Sequence, residues 1–154
     1  MLISYRGEMS FKPHEIEYLK AADLGRLATI APDGTLQNSP VGFSYNEQLG
    51  TIDIAGYHMS QSRKFRNIHS HKTVAFVVDD IASRDPWRVR CLEIRGTAEQ
   101  AEVADAEVEP NGDGLDTAII RITPRRIISF GIDDTETPPH LLKADSRDVP
   151  TTAS

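Results

Sequence analysis

The sequence predicts a mainly β, antiparallel barrel carrying a few short helices. Three observations lead there. About six segments have strand composition. Turns with hairpin chemistry, rather than long helical crossovers, join them. Only two stretches, near residues 13 to 22 and 59 to 69, have helical character. A doubly wound α/β sheet would need a helix between nearly every pair of strands.

Taken in order, Pro13 suits the first turn of a helix, where its missing N–H has no partner to lose. Ile16, Leu19 and Leu24 form a partial apolar stripe, so a short surface helix is expected over residues 13 to 22, closed by Gly25. Arg26 to Ala31 reads as a strand. In Pro32-Asp33-Gly34-Thr35, proline presets φ, aspartate bonds its own backbone and glycine takes positive φ, which makes a turn. The chain then folds back through Leu36 to Tyr45, turns at Asn46 to Gly50, and enters a third strand, Thr51 to Ala55. Thr73 to Asp79 is nearly continuously apolar, as in a strand buried on both faces. Asp80 to Arg88 reads as a polar loop. Arg90 to Ala98 alternates, with Leu92 and Ile94 on one face and Glu93 and Arg95 on the other. Residues 102 to 116 are acidic and glycine-containing, a loop or short helix. Ala118 to Thr123 and Ile127 to Phe130 are strand segments on either side of Pro124. From Asp133 the polar, proline-containing composition reads as a flexible tail.

The 154 residues suffice for one domain with one core, and 39% apolar with 26% charged residues is an ordinary globular composition. No run reaches bilayer-spanning length. The start shows no secretory pattern, since Leu2-Ile3 gives way at once to polar residues; Met9 offers an alternative start. A net charge of −6 argues against non-specific nucleic-acid binding but leaves room for a local basic pocket. The single cysteine, Cys91, rules out an intrachain disulfide and suits a reducing cytoplasm. Its simpler role is that of a small core residue. The five histidines show no metal-ligand spacing, so no metal site is expected.

One stretch carries chemistry: Met59-Ser60-Gln61-Ser62-Arg63-Lys64-Phe65. It follows a strand and a turn at Gly56 and opens a helix. A helix start presents unpaired N–H groups and a partial positive charge, which favour an anion. Ser62 adds a hydroxyl, Arg63 a planar fork of donors and Lys64 a mobile point charge, together a candidate phosphate seat. Read alone, the two cations are equally at home as solvated surface charges.

The order of features adds to this. Gly25-Arg26-Leu27-Ala28-Thr29, Val41-Gly42-Phe43, Gly50-Thr51-Ile52-Asp53-Ile54, Ser62-Arg63-Lys64, Val77-Val78-Asp79-Asp80, Asp85-Pro86-Trp87-Arg88, Glu93-Ile94-Arg95-Gly96 and Ile122-Thr123-Pro124-Arg125-Arg126 resemble the pyridoxamine-phosphate-oxidase-like split-barrel superfamily. The closer likeness is to its coenzyme F-420-dependent branch, which includes the tetracycline-pathway reductase. The resemblance spans residues 10 to 132. It implies a cofactor-binding domain over 10–132; the alternative start makes 1–9 an N-terminal extension, and composition makes 133–154 a polar tail. It also implies a six-stranded antiparallel split β-barrel, the FMN-binding split barrel, working as a homodimer with the cofactor in a groove between subunits.

On that resemblance, Ser62, Arg63 and Lys64 hold the cofactor phosphate. Backbone at Asn38-Ser39-Pro40 and at Ile54-Ala55-Gly56 lines the ring, and Trp87 and Arg88 close the pocket, from the second subunit. The flavin oxidases carry an arginine and a lysine on the second strand; the matching positions here are Ser39 and Ser44, which lack charge. That favours F-420 over FMN. The function implied is hydride transfer between F-420 and a small organic substrate. An FMN-dependent oxidoreductase and a non-catalytic flavin- or haem-like ligand-binding protein are the alternatives. Trp87 is equally readable as a packed loop aromatic, and Tyr57 and His58 as solvated loop residues.

Overall fold

The computed structural model describes residues 10–104 and 116–150. Helix α1 spans Pro13–Ala21, and eight strands follow: β1 Leu24–Ile30, β2 Leu36–Gly42, β3 Ser44–Asn46, β4 Thr51–Ile54, β5 Thr73–Arg84, β6 Trp87–Glu102, β7 Ala118–Phe130 and β8 Asp145–Asp148. Helix α2, Arg63–Ser70, lies between β4 and β5. The strands order as β2-β1-β5-β6-β7-β4-β3, with β8 also on β7, and every pairing is antiparallel.

That order closes the sheet. β2 and β3 stand at its two ends, yet only Phe43 separates them in the chain. With about 3.8 Å between successive Cα atoms, the two edges must meet there, so the sheet is rolled into a barrel. The Phe43 ring packs edge-to-face on Phe76, with centroids 5.2 Å apart. The interior is filled by Leu27, Val41, Ile52, Ile54, Phe76, Val78, Leu92, Ile94, Ile120, Ile122 and Ile127, each contributing roughly 1.5–3 kcal/mol of transfer free energy.

The helices cover opposite ends. At one, Asn67 of α2 is buried and donates to Thr29 Oγ1 (3.0 Å) and Gln37 Oε1 (3.1 Å), while Gln100 Nε2 donates to the Phe65 carbonyl (3.0 Å). At the other, Tyr18 of α1 donates to Asp80 (2.7 Å), and the wholly buried Glu15 accepts from Ser129 Oγ (2.6 Å).

Several expectations change. The Leu36–Tyr45 strand is two strands, β2 and β3, broken at Phe43 where the chain crosses between sheet ends. Gly25 does not close α1; it lies inside β1, where a Cβ would sit 2.2 Å from the Phe76 ring. The polar loop over Asp80 to Arg88 is instead the tip of the β5–β6 hairpin. Asp80 and Arg90 are direct cross-strand partners and ion-paired, so polar residues here stabilise the ladder. β7 runs unbroken through Pro124, because Gly96 pairs with Pro124 and Arg95 with Arg126, leaving Arg125 as the extra residue of a bulge. A bulge is where a sheet tolerates proline. Finally, the expected flexible tail contains β8. Arg147 of that strand reaches both carboxylate oxygens of Glu15, and its Nη2 also donates to the Ser10 carbonyl (2.8 Å).

Candidate functional site in the barrel opening

The helix start is built by local chemistry. After β4 the chain makes a short 3-10 turn, Met59–Gln61, with Met59 buried as its anchor. Ser62 then caps α2: its hydroxyl accepts from the Phe65 N–H (3.3 Å) and donates to the Met59 carbonyl (2.7 Å). The hydroxyl is therefore committed to folding the helix start. The N–H groups of Arg63 and Lys64 have no intrahelical acceptor. Among the described residues, Arg63, Lys64 and Arg66 make no ion pair.

Arg63 opens onto a groove of about 730 Å³ between α2 and the β1–β2 turn, shared with Arg66, His69, Gln37, Thr35 and Gln100. Lys64 falls one step round the helix and is half-buried. Arg66 and His69 were not singled out from the sequence. The available signal was the spacing of Arg63 and Arg66, three apart on a helix and so on one face.

The strand residues fall into place by register. β3 pairs with β4 only as far as Ser44 opposite Asp53, after which β2 turns away to pair with β1. β2 and the end of β4 thus flank an opening in the barrel wall. Asn38-Ser39-Pro40 lie on one side of it and Ile54-Ala55-Gly56 on the other. Asn38, Pro40 and Ala55 are exposed, whereas the Ile54 side chain is wholly buried, leaving its backbone to the opening. Ser39 Oγ is buried with no hydrogen-bond partner among the described residues, a costly state for a hydroxyl. Asn67 ties this strand to α2 through Gln37, next to Asn38.

Trp87 and Arg88 stand apart. They begin β6, whose Gln100 touches α2, and 12 residues from Arg88 to Gln100 correspond to about 40 Å of strand. Within one chain they do not meet Ser62, Arg63 and Lys64. Trp87 is 55% exposed, and Arg88 donates to the Thr137 carbonyl. Burial, helped by Asp79 and Glu93, pushes the Cys91 thiol up to about 11, so it stays protonated and unreactive at neutral pH. No helix among the described residues is long and apolar enough to cross a membrane.

The family described as pyridoxamine 5'-phosphate oxidase matches residues 11–130, nearly all of the barrel. The chain belongs to the pyridoxamine 5'-phosphate oxidase family. A 5a,11a-dehydrotetracycline/5a,11a-dehydrooxytetracycline reductase from Streptomyces rimosus subsp. rimosus is 46% identical over 125 residues, 81% of this chain and 86% of that protein. A solved structure described as an F420 reductase matches with a TM-score of 0.53 at 28% identity, over 70% of this chain and 90% of that one. The FAD binding protein from Mycobacterium smegmatis matches in fold, with a TM-score of 0.54 at 21% identity, over 77% of this chain and 92% of that one. Family membership and the reductase relative make this chain an oxidoreductase built on a flavin-type split barrel.

Proposed function

We propose that this family member transfers a hydride between coenzyme F-420 and a small organic substrate. The substrate carries an electron-poor double bond or a carbonyl-conjugated ring, and the cofactor lies in a groove between the subunits of a homodimer. One observation carries the reading: Arg63, Lys64 and Arg66, which make no ion pair among the described residues, stand at a helix start that Asn67 ties to β2 through Gln37. A reductase relative and an F420 reductase of the same fold support it.

The residues present fit such a cofactor. The N–H groups of Arg63 and Lys64, with the two side chains, form a phosphate seat, while Ser62 contributes by capping the helix rather than by its own hydroxyl. Backbone at Asn38 to Pro40 and at Ile54 to Gly56 holds the two edges of a ring. When bound, the cofactor supplies the hydride chemistry, so no protein nucleophile is needed. The chain's own task is to orient the ring, exclude water and leave one face open to substrate.

The homodimer reading rests on two features. Ile81 and Trp87, near the tip of the β5–β6 hairpin, expose apolar surface, 41% and 55% of each residue, which a second copy would cover. Trp87 and Arg88 are too far along β6 to reach the site of their own chain, so a second copy is the source that brings them to it. FMN is the alternative cofactor; the uncharged Ser39 and Ser44 favour F-420.

Titration of the purified protein with F-420 and with FMN, followed by fluorescence and polarisation, tests the choice. Tighter binding of F-420, with turnover of enones or quinones by the reduced coenzyme, is expected. FMN binding without any F-420 response overturns it, and F-420 binding without turnover leaves a carrier. A monomer by light scattering removes the shared groove.

A further inference from the structure

Asp116 lies 52 residues beyond Lys64 in the chain, yet it grips the connection that joins the two halves of the candidate site. Its Oδ2 accepts both the N–H (3.0 Å) and the hydroxyl (2.5 Å) of Ser60. Its Oδ1 accepts the Ala118 N–H (3.2 Å), which fastens it to the start of β7, and its own N–H donates to the Gly56 carbonyl (3.3 Å). One residue thus holds the connection at Gly56 and at Ser60. From there the grip is passed on, since Met59, beside Ser60, is buried and takes the Ser62 hydroxyl on its carbonyl. Hydrogen bonds from Ser60 hold the Asp116 carboxyl below its ordinary value, so it is charged at neutral pH.

We propose that Asp116 is a positioning residue for the cofactor: it sets the separation between the ring-lining backbone at Ala55–Gly56 and the phosphate-binding helix start at Arg63–Lys64. The proposal rests on the functional reading above. It also has a sign that simple electrostatics does not share. A carboxylate near an anion seat repels the anion, so if Asp116 mattered only through its charge, removing it would strengthen phosphate binding. If it sets a separation, removing it weakens the cooperation between ring and phosphate, because the two halves no longer match one rigid ligand.

The test measures a ratio. Dissociation constants are obtained for FMN against riboflavin, and for F-420 against its ring-and-ribityl fragment lacking the phosphate, in the wild type and in Asp116→Ala, Asp116→Asn and Ser60→Ala. The wild-type ratio is the gain that the phosphate brings. In Asp116→Ala and Ser60→Ala that gain falls by about fivefold, as expected for losing one or two charge-assisted hydrogen bonds. Affinity for the unphosphorylated fragments stays within about twofold on the same ground. Asp116→Asn, which keeps one acceptor for Ser60, recovers part of the gain. An unchanged or increased gain in these variants overturns the proposal. Ser60→Ala decides the matter if Asp116→Ala melts early. Arg63→Ala with Lys64→Ala serves as the reference: a gain lost there but kept in the Asp116 variants refutes the positioning role alone. No gain in the wild type removes the phosphate seat and this proposal with it.

Discussion

The two ends of the barrel treat charge in opposite ways. At the α1 end, charges meet partners. Glu15 has no exposed surface and is held by Arg147, Ser129 and the Lys12 N–H; Asp145 takes Lys12; Asp80 takes Tyr18 and Arg90, whose guanidinium also stacks on the Tyr18 ring at 5.2 Å. At the α2 end, Arg63, Lys64 and Arg66 have no acidic partner among the described residues and sit beside an open groove. A paired charge that is buried, as Glu15 is, holds a fold together, because losing one partner strands the other. Exposed unpaired cations add nothing to the fold and leave it poised for an anion. One end of the molecule is a fastening; the other is the receptor we propose.

Mutation should separate the two. Glu15→Gln is expected to cost about 3 kcal/mol of stability by taking from Arg147 its buried counter-charge and leaving it only Asp145 at 3.4 Å, read by denaturant unfolding, with cofactor affinity unchanged. Burial by itself would raise the Glu15 pKa, but Arg147 and the hydrogen bond from Ser129 outweigh it and hold it below 4.5. A lowered folded-state pKa means that the contribution is complete above 4.5 and fades as pH falls through the folded value. The gap in stability between wild type and Glu15→Gln should therefore be full at neutral pH and close in acid. A gap that persisted far below pH 4.5 would break the fastening assignment.

Arg63→Ala with Lys64→Ala should do the reverse. Cofactor affinity falls by roughly tenfold or more, about 1.4 kcal/mol, while the melting temperature stays put. Unchanged affinity would end the receptor assignment. If the proposed homodimer forms, Trp87→Ala should weaken cofactor binding by a few-fold, and addition of a site-defective second copy with intact Trp87 should restore binding through mixed dimers. Restoration failing would place Trp87 outside the site. Arg66→Ala, one turn past Arg63 on the groove side, should give the smallest change, about two- to threefold in affinity, since it is an exposed charge screened by solvent.

Much of this was legible from the chain, and the gaps have physical causes. The helix start at Ser62 was readable because capping is local: the residues that satisfy it lie within three positions. The capping role of the Ser62 hydroxyl was not separable from a phosphate-binding one, because a cap and an anion ligand call for the same residue type. The β5–β6 hairpin tip looked like a loop because its polar residues pair across the strands rather than with water. β8 looked like a tail because its anchoring partner, Glu15, lies 132 residues away from Arg147. Asp116 gave no signal for the same reason, since its grip on Ser60 spans 56 residues.

The sequence by itself determined a mainly β antiparallel chain, the positions of most strands, and a cation-bearing helix start beside a strand end. These follow from turn chemistry, alternation and capping, which act over a few residues. Only the tertiary structure decided that β2 and β4 flank one opening, that Trp87 and Arg88 lie some 40 Å of strand from the helix start, and which charges are matched and which are left over. Those outcomes depend on which distant segments the closed sheet brings together, and no local pattern encodes that distance.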